Sequence, residues 1–383
     1  MTEYFNSEYP SIDHLREKAR RRMPKFAFEY LEGGCNSEIN LKRNTADIRE
    51  VQLRPYYIRD YKGSNLKTEL FGETYDAPIG IAPIGLQGLM WPKSCEILAK
   101  AAHAHNIPFV LSTVGTASIE TIAELTEGKL WFQLYHPAED ELRDKLLERA
   151  AAAGTKVLVI LADTPTFAYR PKEIRNGLSI PPQMNLRNVF QMCTHPTWSF
   201  SQLGAGVPEF KTMSPYIPKG LNLKHLAQFM NRTFSGRLNA DKIKALRDKW
   251  DGKLVVKGIV TEEDAEKVIE LGADGFISSN HGGRQLDAGQ STIVPMTELA
   301  KKYGDKTTVM IDSGLRAGPD VACAMASGAK FTFMGRSFMY GVGALGSKGG
   351  LHTIGMIKRQ LQQVMEQLAC EKVDDFPNHL IER

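Results

Sequence analysis

Gly275-Phe-Ile-Ser-Ser-Asn-His-Gly-Gly-Arg-Gln-Leu-Asp287 opens as a short apolar strand and closes in a tight turn that carries His281 and Arg284. A brief apolar run bounded by turn residues is the pattern of a strand covered on both faces. Seven similar runs occur along the chain, at 79–81, 109–111, 130–135, 157–161, 254–257, 309–311 and 331–334. Helical patterns lie between or after them, among them 94–104, 138–153, 262–271 and 318–327. Eight strands alternating with helices predict an α/β fold of parallel strands closed on themselves. The expectation is a single (β/α)8 TIM barrel over about residues 77–345, within one domain of 1–383. Residues 12–32 read as a helix ahead of the barrel, opened by Ser11 as N-cap and closed near Gly33-Gly34.

Composition removes several classes of function. The 383 residues are 42% hydrophobic and 24% charged, the balance of a soluble globular protein. No uninterrupted apolar run nears the roughly 18 residues of a membrane span. Arg16, Lys18, Arg20, Arg21 and Arg22 form a basic N-terminus without an apolar segment behind it, so no secretory signal is read and a cytoplasmic location is expected. Five cysteines without CxxC spacing indicate neither a disulfide framework nor a zinc cage. A net charge of +4 gives no ground for nucleic-acid binding. His103 and His105, at i and i+2, point to different sides of a helix end and are read as structural, so no metal is expected.

Polar residues follow all eight strands: Pro83-Ile84-Gly85, Ser112, Gln133 with Tyr135, Asp163, Lys257, Ser279 to Arg284, Asp312-Ser313-Gly314-Leu315-Arg316, and Gly335-Arg336. That rim is where barrel enzymes place their chemistry. His281 can carry a proton both ways near neutral pH, and Arg284 offers a cationic fork for a carboxylate, so base and clamp together imply an anionic substrate. Arg316 and Arg336, with the glycines beside them, sit after the seventh and eighth strands. Barrel phosphate sites are commonly built there, which implies a cofactor with a terminal phosphate.

The 275–287 string resembles the signature of the FMN-dependent α-hydroxy acid oxidising enzymes, and the similarity runs from about residue 13 to about 368. The resemblance implies FMN as cofactor, contacted by Pro83, Ile84, Gly85, Ser112, Gln133, Lys257 and Ser279, with ribityl and phosphate contacts from Asp312, Ser313, Gly314, Arg316, Gly335 and Arg336. Lys257 beside the flavin would stabilise the anionic reduced ring. It implies His281 as base, paired with Asp163, and Tyr30, Tyr135, Arg170 and Arg284 as ligands of the substrate carboxylate and hydroxyl. The reaction implied is oxidation of an (S)-2-hydroxy acid to a 2-oxo acid, with electrons passed to a quinone, another protein or oxygen. A homotetramer or higher assembly is implied too. Departures from the family pattern are Leu161 in place of a flavin-contacting threonine, Tyr56 where arginine is frequent, and Ala168, Tyr169 and Pro171 around Arg170.

Gly85, alanine in many relatives that use oxygen, and Val114, often tryptophan in glycolate oxidases, imply room for a substrate of at least lactate size and slow reaction with oxygen. Another FMN-barrel activity such as isomerisation would share the phosphate loops but not need the carboxylate set. A non-catalytic flavoprotein would not need the His281–Asp163 pair.

Residues 180–240 read as a long irregular insertion after the fourth strand, with Pro181-Pro182, Trp198, Phe200, Phe210 and Tyr216 and little helical period before Leu223. Six Lys or Arg against Glu209 give it a local charge of +5. Amphipathic cationic segments bind anionic lipid, so peripheral contact with the inner face of a membrane is one expectation. An active-site lid or a subunit contact is the other.

Overall fold

The computed structural model describes residues 4–178, 185–234 and 236–381. A hairpin of β1 (Thr68–Leu70) and β2 (Glu73–Tyr75) precedes β3 (Ile79–Ile81), β4 (Phe109–Ser112), β5 (Leu130–Leu134), β6 (Val157–Leu161), β7 (Lys253–Lys257), β8 (Gly275–Ser278), β9 (Thr308–Ile311) and β10 (Phe331–Met334). The last eight strands form a closed barrel, β3 to β10 in sequence order with β10 pairing back to β3, every pairing parallel. The (β/α)8 expectation holds, and the strand bounds differ from the apolar runs by a residue or less.

Alternation along the strands sorts the apolar side chains into two cores. Val157 and Val159 of β6 belong to a cluster with Val110, Val255, Ile277 and Met310, while Leu158 and Ile160 join the larger cluster shared with the helices. Phe331 and Phe333 stack at 5.5 Å in the first cluster, and Trp131 lies 5.4 Å from Phe333. The hairpin closes the same core: Phe71 meets Trp131 at 5.8 Å and Tyr75 meets Phe331 at 5.6 Å. Phe333 is buried on all sides, so Phe333→Ala would cost about 3–5 kcal/mol. A barrel floor packed this tightly leaves the opposite, C-terminal rim as the place where polar side chains can gather.

The N-terminal segment is two helices rather than one. Ser11 caps Ile12–Arg22 by accepting from the His14 amide, and Pro24 then breaks the run before Lys25–Glu32. The bend lets the second helix lie across the rim and bring Tyr30 to the barrel mouth.

The segment after β6 also differs from expectation, because about half of it is helical: Leu186–Thr194, Pro196–Ala205 and Leu223–Thr233. Asn185 and Asn222 cap the first and third by accepting amide hydrogens, and Pro196 starts the second. Pro181-Pro182 lies outside the described residues. Buried Trp198 fixes the segment to the barrel, its indole N–H donating to the Met90 carbonyl at 2.9 Å and its ring meeting Phe26 edge-on.

Candidate active site

The turn after β8 takes a left-handed path through three consecutive residues, His281, Gly282 and Gly283, at φ of 59°, 68° and 72°. Such a path is costly for histidine and free for glycine. Both glycines are also needed for space: a Cβ on Gly282 would meet the Arg336 guanidinium at 2.7 Å, and one on Gly283 the Leu41 backbone at 2.5 Å. The His281 conformation is held by its amide donating to Ser279 Oγ at 3.2 Å, and the Gly282 amide donates to Ser313 Oγ at 2.9 Å.

His281 Nδ1 lies 2.9 Å from Asp163 Oδ1, which joins the ends of β6 and β8. With Nδ1 committed to the carboxylate, Nε2 is the nitrogen that carries a lone pair. Asp163 in turn faces Lys257 at 3.6 Å, and Lys257 reaches Asp312 at 3.1 Å and Ser279 Oγ at 2.6 Å. Burial alone would raise the Asp163 carboxyl, but Lys257 and His281 outweigh it and hold it well below the usual range. Burial pushes His281 below its ordinary value; Asp163 pulls it back up, while Lys257 and Arg170 push it further down. The result is a neutral imidazole beside a fixed anion, the pairing that stabilises an imidazolium once a proton arrives.

Opposite stands a wall of two arginines. Arg284 donates through Nη1 to the carbonyls of Tyr30 and Gly33 at 2.9 and 2.8 Å and through Nη2 to Glu173 at 2.5 Å, its cation 5.1 Å above the Tyr30 ring. Arg170 donates to the Arg284 carbonyl, to Gln285 Oε1 and to Glu173 Oε1. Burial, with Arg284 beside it, lowers the Arg170 guanidinium. Burial raises the phenols of Tyr30 and Tyr135, so both stay protonated donors.

Arg336 lies beside this wall and shares the Gly33 carbonyl with Arg284. It donates to the carbonyls of Leu31, Gly282 and Gly33, and burial, reinforced by Arg316, lowers its guanidinium to about 9. Arg316 and Arg336 line one cavity, and two like charges brought together there favour an anion between them. That observation fits the phosphate of FMN to these loops.

A cavity of about 980 Å³ connects these groups. Its lining includes Tyr30, Pro83, Ile84, Gly85, Gln133, Tyr135, Lys257, Arg170, His281, Arg284, Asp312, Ser313, Gly314, Arg316, Gly335 and Arg336. Three expected residues stand behind the wall: Asp163 supports His281, Ser279 supports Lys257, and Ser112 accepts from the Val114 amide. Gly85 and Val114 are neighbours, since a Cβ on Gly85 would meet Val114 Cγ2 at 2.9 Å. Sequence reasoning missed Glu173, whose signal is its i, i+3 spacing from Arg170, and Thr164, whose hydroxyl lies 3.4 Å from His281 Nδ1. It also missed Asn280, which ties the turn to Asn44 of the N-terminal segment. Among the described residues no cluster of His, Cys, Asp or Glu could hold a metal, and His103 faces Glu127.

Comparison with known proteins agrees with this geometry. A family profile described as FMN-dependent dehydrogenase matches residues 19–383. An L-lactate dehydrogenase of Vibrio parahaemolyticus is 36% identical over 94% of this chain and 95% of its own length. The (S)-mandelate dehydrogenase of Pseudomonas putida is 34% identical over 97% of this chain and 93% of its own. A crystal structure of the monotopic membrane protein (S)-mandelate dehydrogenase superposes with a TM-score of 0.93 at 33% identity, covering 99% of this chain and 100% of that one. A mandelate oxidase structure aligns with a TM-score of 0.82 at 28% identity over 98% of each chain. The chain therefore belongs to the FMN-dependent 2-hydroxy acid dehydrogenase family, and is an oxidoreductase with FMN as its cofactor.

Proposed function

We propose that this protein oxidises an (S)-2-hydroxy acid of lactate size or larger to the 2-oxo acid and passes the electrons to a membrane acceptor such as a quinone rather than to oxygen. The observation that carries the reading is the hydrogen-bonded His281–Asp163 pair sharing one cavity with Arg170 and Arg284. Arg284, Arg170 and the phenols of Tyr30 and Tyr135 hold the carboxylate and hydroxyl. His281 Nε2 takes one proton, from the hydroxyl if the α-hydrogen leaves as hydride or from the α-carbon if electrons follow, and Asp163 stabilises the imidazolium formed. FMN, when bound, accepts the two electrons released as C–O becomes C=O. Gln133, Lys257, Asp312, Ser313, Gly314, Gly335, Arg316 and Arg336 would hold it from the cavity side, along the Pro83-Ile84-Gly85 segment, with Ser112 and Ser279 behind.

The insertion supports the membrane part of the reading. Leu186, Phe190, Phe200, Leu203 and Val207 are 69–88% exposed, and Arg187, Lys211, Lys219 and Arg237 of the same segment are exposed too. Exposed apolar side chains and cations in one segment suit an anionic lipid surface. Among the described residues no helix is long and apolar enough to cross a membrane, so the contact would be peripheral.

Anaerobic mixing of the yellow protein with a panel of 2-hydroxy acids tests the chemistry: bleaching by lactate or larger acids is expected, and no bleaching by any of them rejects it. Turnover with oxygen, then with a quinone or dye, tests the acceptor. Oxygen turnover as fast as dye turnover, with glycolate the best substrate, would reject that part.

A further inference from the structure

The two arginines that face the substrate site are like charges packed together, both only 14% exposed in their side chains. Left alone, such a pair would repel and swing apart, because burial removes the water that screens them. Glu173 stands between them, itself only 11% exposed, with Oε1 at 2.5 Å from Arg284 Nη2 and 3.4 Å from Arg170 Nη1. The residue belongs to the short helix Pro171–Arg175, which is fastened to the N-terminal segment on both sides. Lys172 bonds Glu38 at 2.7 Å, and Asn176 bonds Glu29 at 2.6 Å. The carboxylate is therefore held by its own helix and not by the arginines alone.

The hydrogen-bond count shows what this leaves over. A guanidinium has five N–H donors. Arg284 places three of them on Tyr30, Gly33 and Glu173, and Arg170 places three on the Arg284 carbonyl, Gln285 and Glu173. Among the described residues each arginine thus keeps two N–H groups for a ligand, enough for a bidentate clasp. Two guanidinium charges against one glutamate leave one positive charge, the complement of one substrate carboxylate.

We propose that Glu173 is the positioning residue of the carboxylate site: it clamps Arg170 and Arg284 side by side and sets their joint charge to match a monoanion. The proposal rests on the function proposed above and names the residue on which substrate affinity in that site depends. It differs from the alternative in which Glu173 occupies the arginines and competes with substrate. The two make opposite predictions for Glu173→Gln, which keeps an acceptor oxygen but removes the charge.

The test uses FMN-loaded full-length protein and pyruvate as probe, read by perturbation of the flavin spectrum and so independent of turnover. Positioning predicts that E173Q binds pyruvate at least about tenfold more weakly. KM for the hydroxy acid should rise by a similar factor, with a much smaller change in kcat, while FMN occupancy stays at the wild-type level. Glu173→Asp, which retains the charge on a shorter stem, should lie between wild type and E173Q; it serves as the decisive variant should E173Q lose FMN or fail to fold. Tighter pyruvate binding in E173Q would show competition and overturn the proposal, as would unchanged binding in E173Q, or in E173D where that is the decisive variant. Wild-type protein that neither binds pyruvate nor is bleached by any hydroxy acid would instead overturn the proposed function itself.

Discussion

The rim of the barrel and the insertion after β6 treat their side chains in opposite ways. At the rim, charged groups are buried and each is answered: His281 by Asp163, Lys257 by Asp312, Arg284 by Glu173. In the insertion, large apolar groups are exposed with nothing over them, Phe200 at 73% and Val207 at 79%, although Trp198 two positions before Phe200 is buried. Buried charge and exposed hydrocarbon both cost free energy, so each persists where a partner outside the chain makes up the difference. On the function proposed here, the rim serves a small anion and the insertion a lipid surface. If the two are independent devices, breaking one should leave the other working.

The largest effect is expected at the rim. His281→Ala removes the imidazole that lines the cavity against the Asp163 carboxylate, and substrate-driven flavin reduction should fall by at least about a hundredfold. FMN content should stay normal and membrane partitioning should not change, because the Arg316 and Arg336 loops and the insertion helices are untouched. Stopped-flow reduction and a flotation assay read both, and near-normal reduction would move the base elsewhere. The converse experiment replaces Phe190 and Phe200 by aspartate, two exposed side chains that do not line the cavity. Each exposed apolar side chain withdrawn from lipid gives up on the order of 1.5–3 kcal/mol, so partitioning should drop about tenfold or more per residue while bleaching by substrate persists. Unchanged partitioning would refute attachment through this face.

How much of this was legible in the sequence follows the same division. The barrel could be read because its strands are short, mostly apolar runs that end in polar clusters and recur between helical patterns. The His281 turn was legible for a related reason, two glycines beside a histidine at a strand end. The break at Pro24 was written in the sequence and was overridden by the longer helical period on both sides of it. The first insertion helix has its faces inverted: Leu186, Val189 and Phe190 lie outside while Asn188 and Gln191 are buried, so a search for apolar positions facing a core does not find it. The remaining signals of the insertion helices, the caps at Asn185 and Asn222, are one residue each. Glu173 left only its i, i+3 spacing from Arg170 as a signal, since its importance comes from Arg284, 111 residues away.

A narrower test sharpens what the rim accepts. Gly85→Ala would set a methyl group 2.9 Å from Val114 Cγ2, closer than such atoms tolerate, so either Val114 shifts or the pocket narrows. One methyl-sized change in an apolar pocket is worth roughly 10–200-fold in discrimination. The expected outcome is a drop of about tenfold in kcat/KM for a bulky 2-hydroxy acid relative to lactate, restored in part by Val114→Ala in the same chain. Equal losses for both acids would show that Gly85 does not face the substrate side chain.

The smallest effect is a matter of pH, and it separates the two members of the catalytic pair. Burial sets His281 below its ordinary value of 6.5, against the opposing pull of Asp163 and with Lys257 and Arg170 adding to the lowering. The base is active when neutral, so the acid limb of kcat/KM should lie below pH 6.5 and not above it. The stability sign follows from the same shift. The unfolded histidine takes up a proton before the folded one does, so the contribution of this group is intact above pH 6.5 and is lost as the pH falls from there toward the folded value. Asp163 behaves differently. Its carboxyl is held below its ordinary 3.8, so its contribution is intact above that and is lost only as the pH falls further, through the folded value. Activity should therefore fail on acidification before the second stability loss begins. Asp163→Asn removes the one influence that raises His281, so the acid limb should move to still lower pH even as reduction slows. A limb that moved upward in this variant would mean that Asp163 does not act on His281 as the 2.9 Å contact indicates.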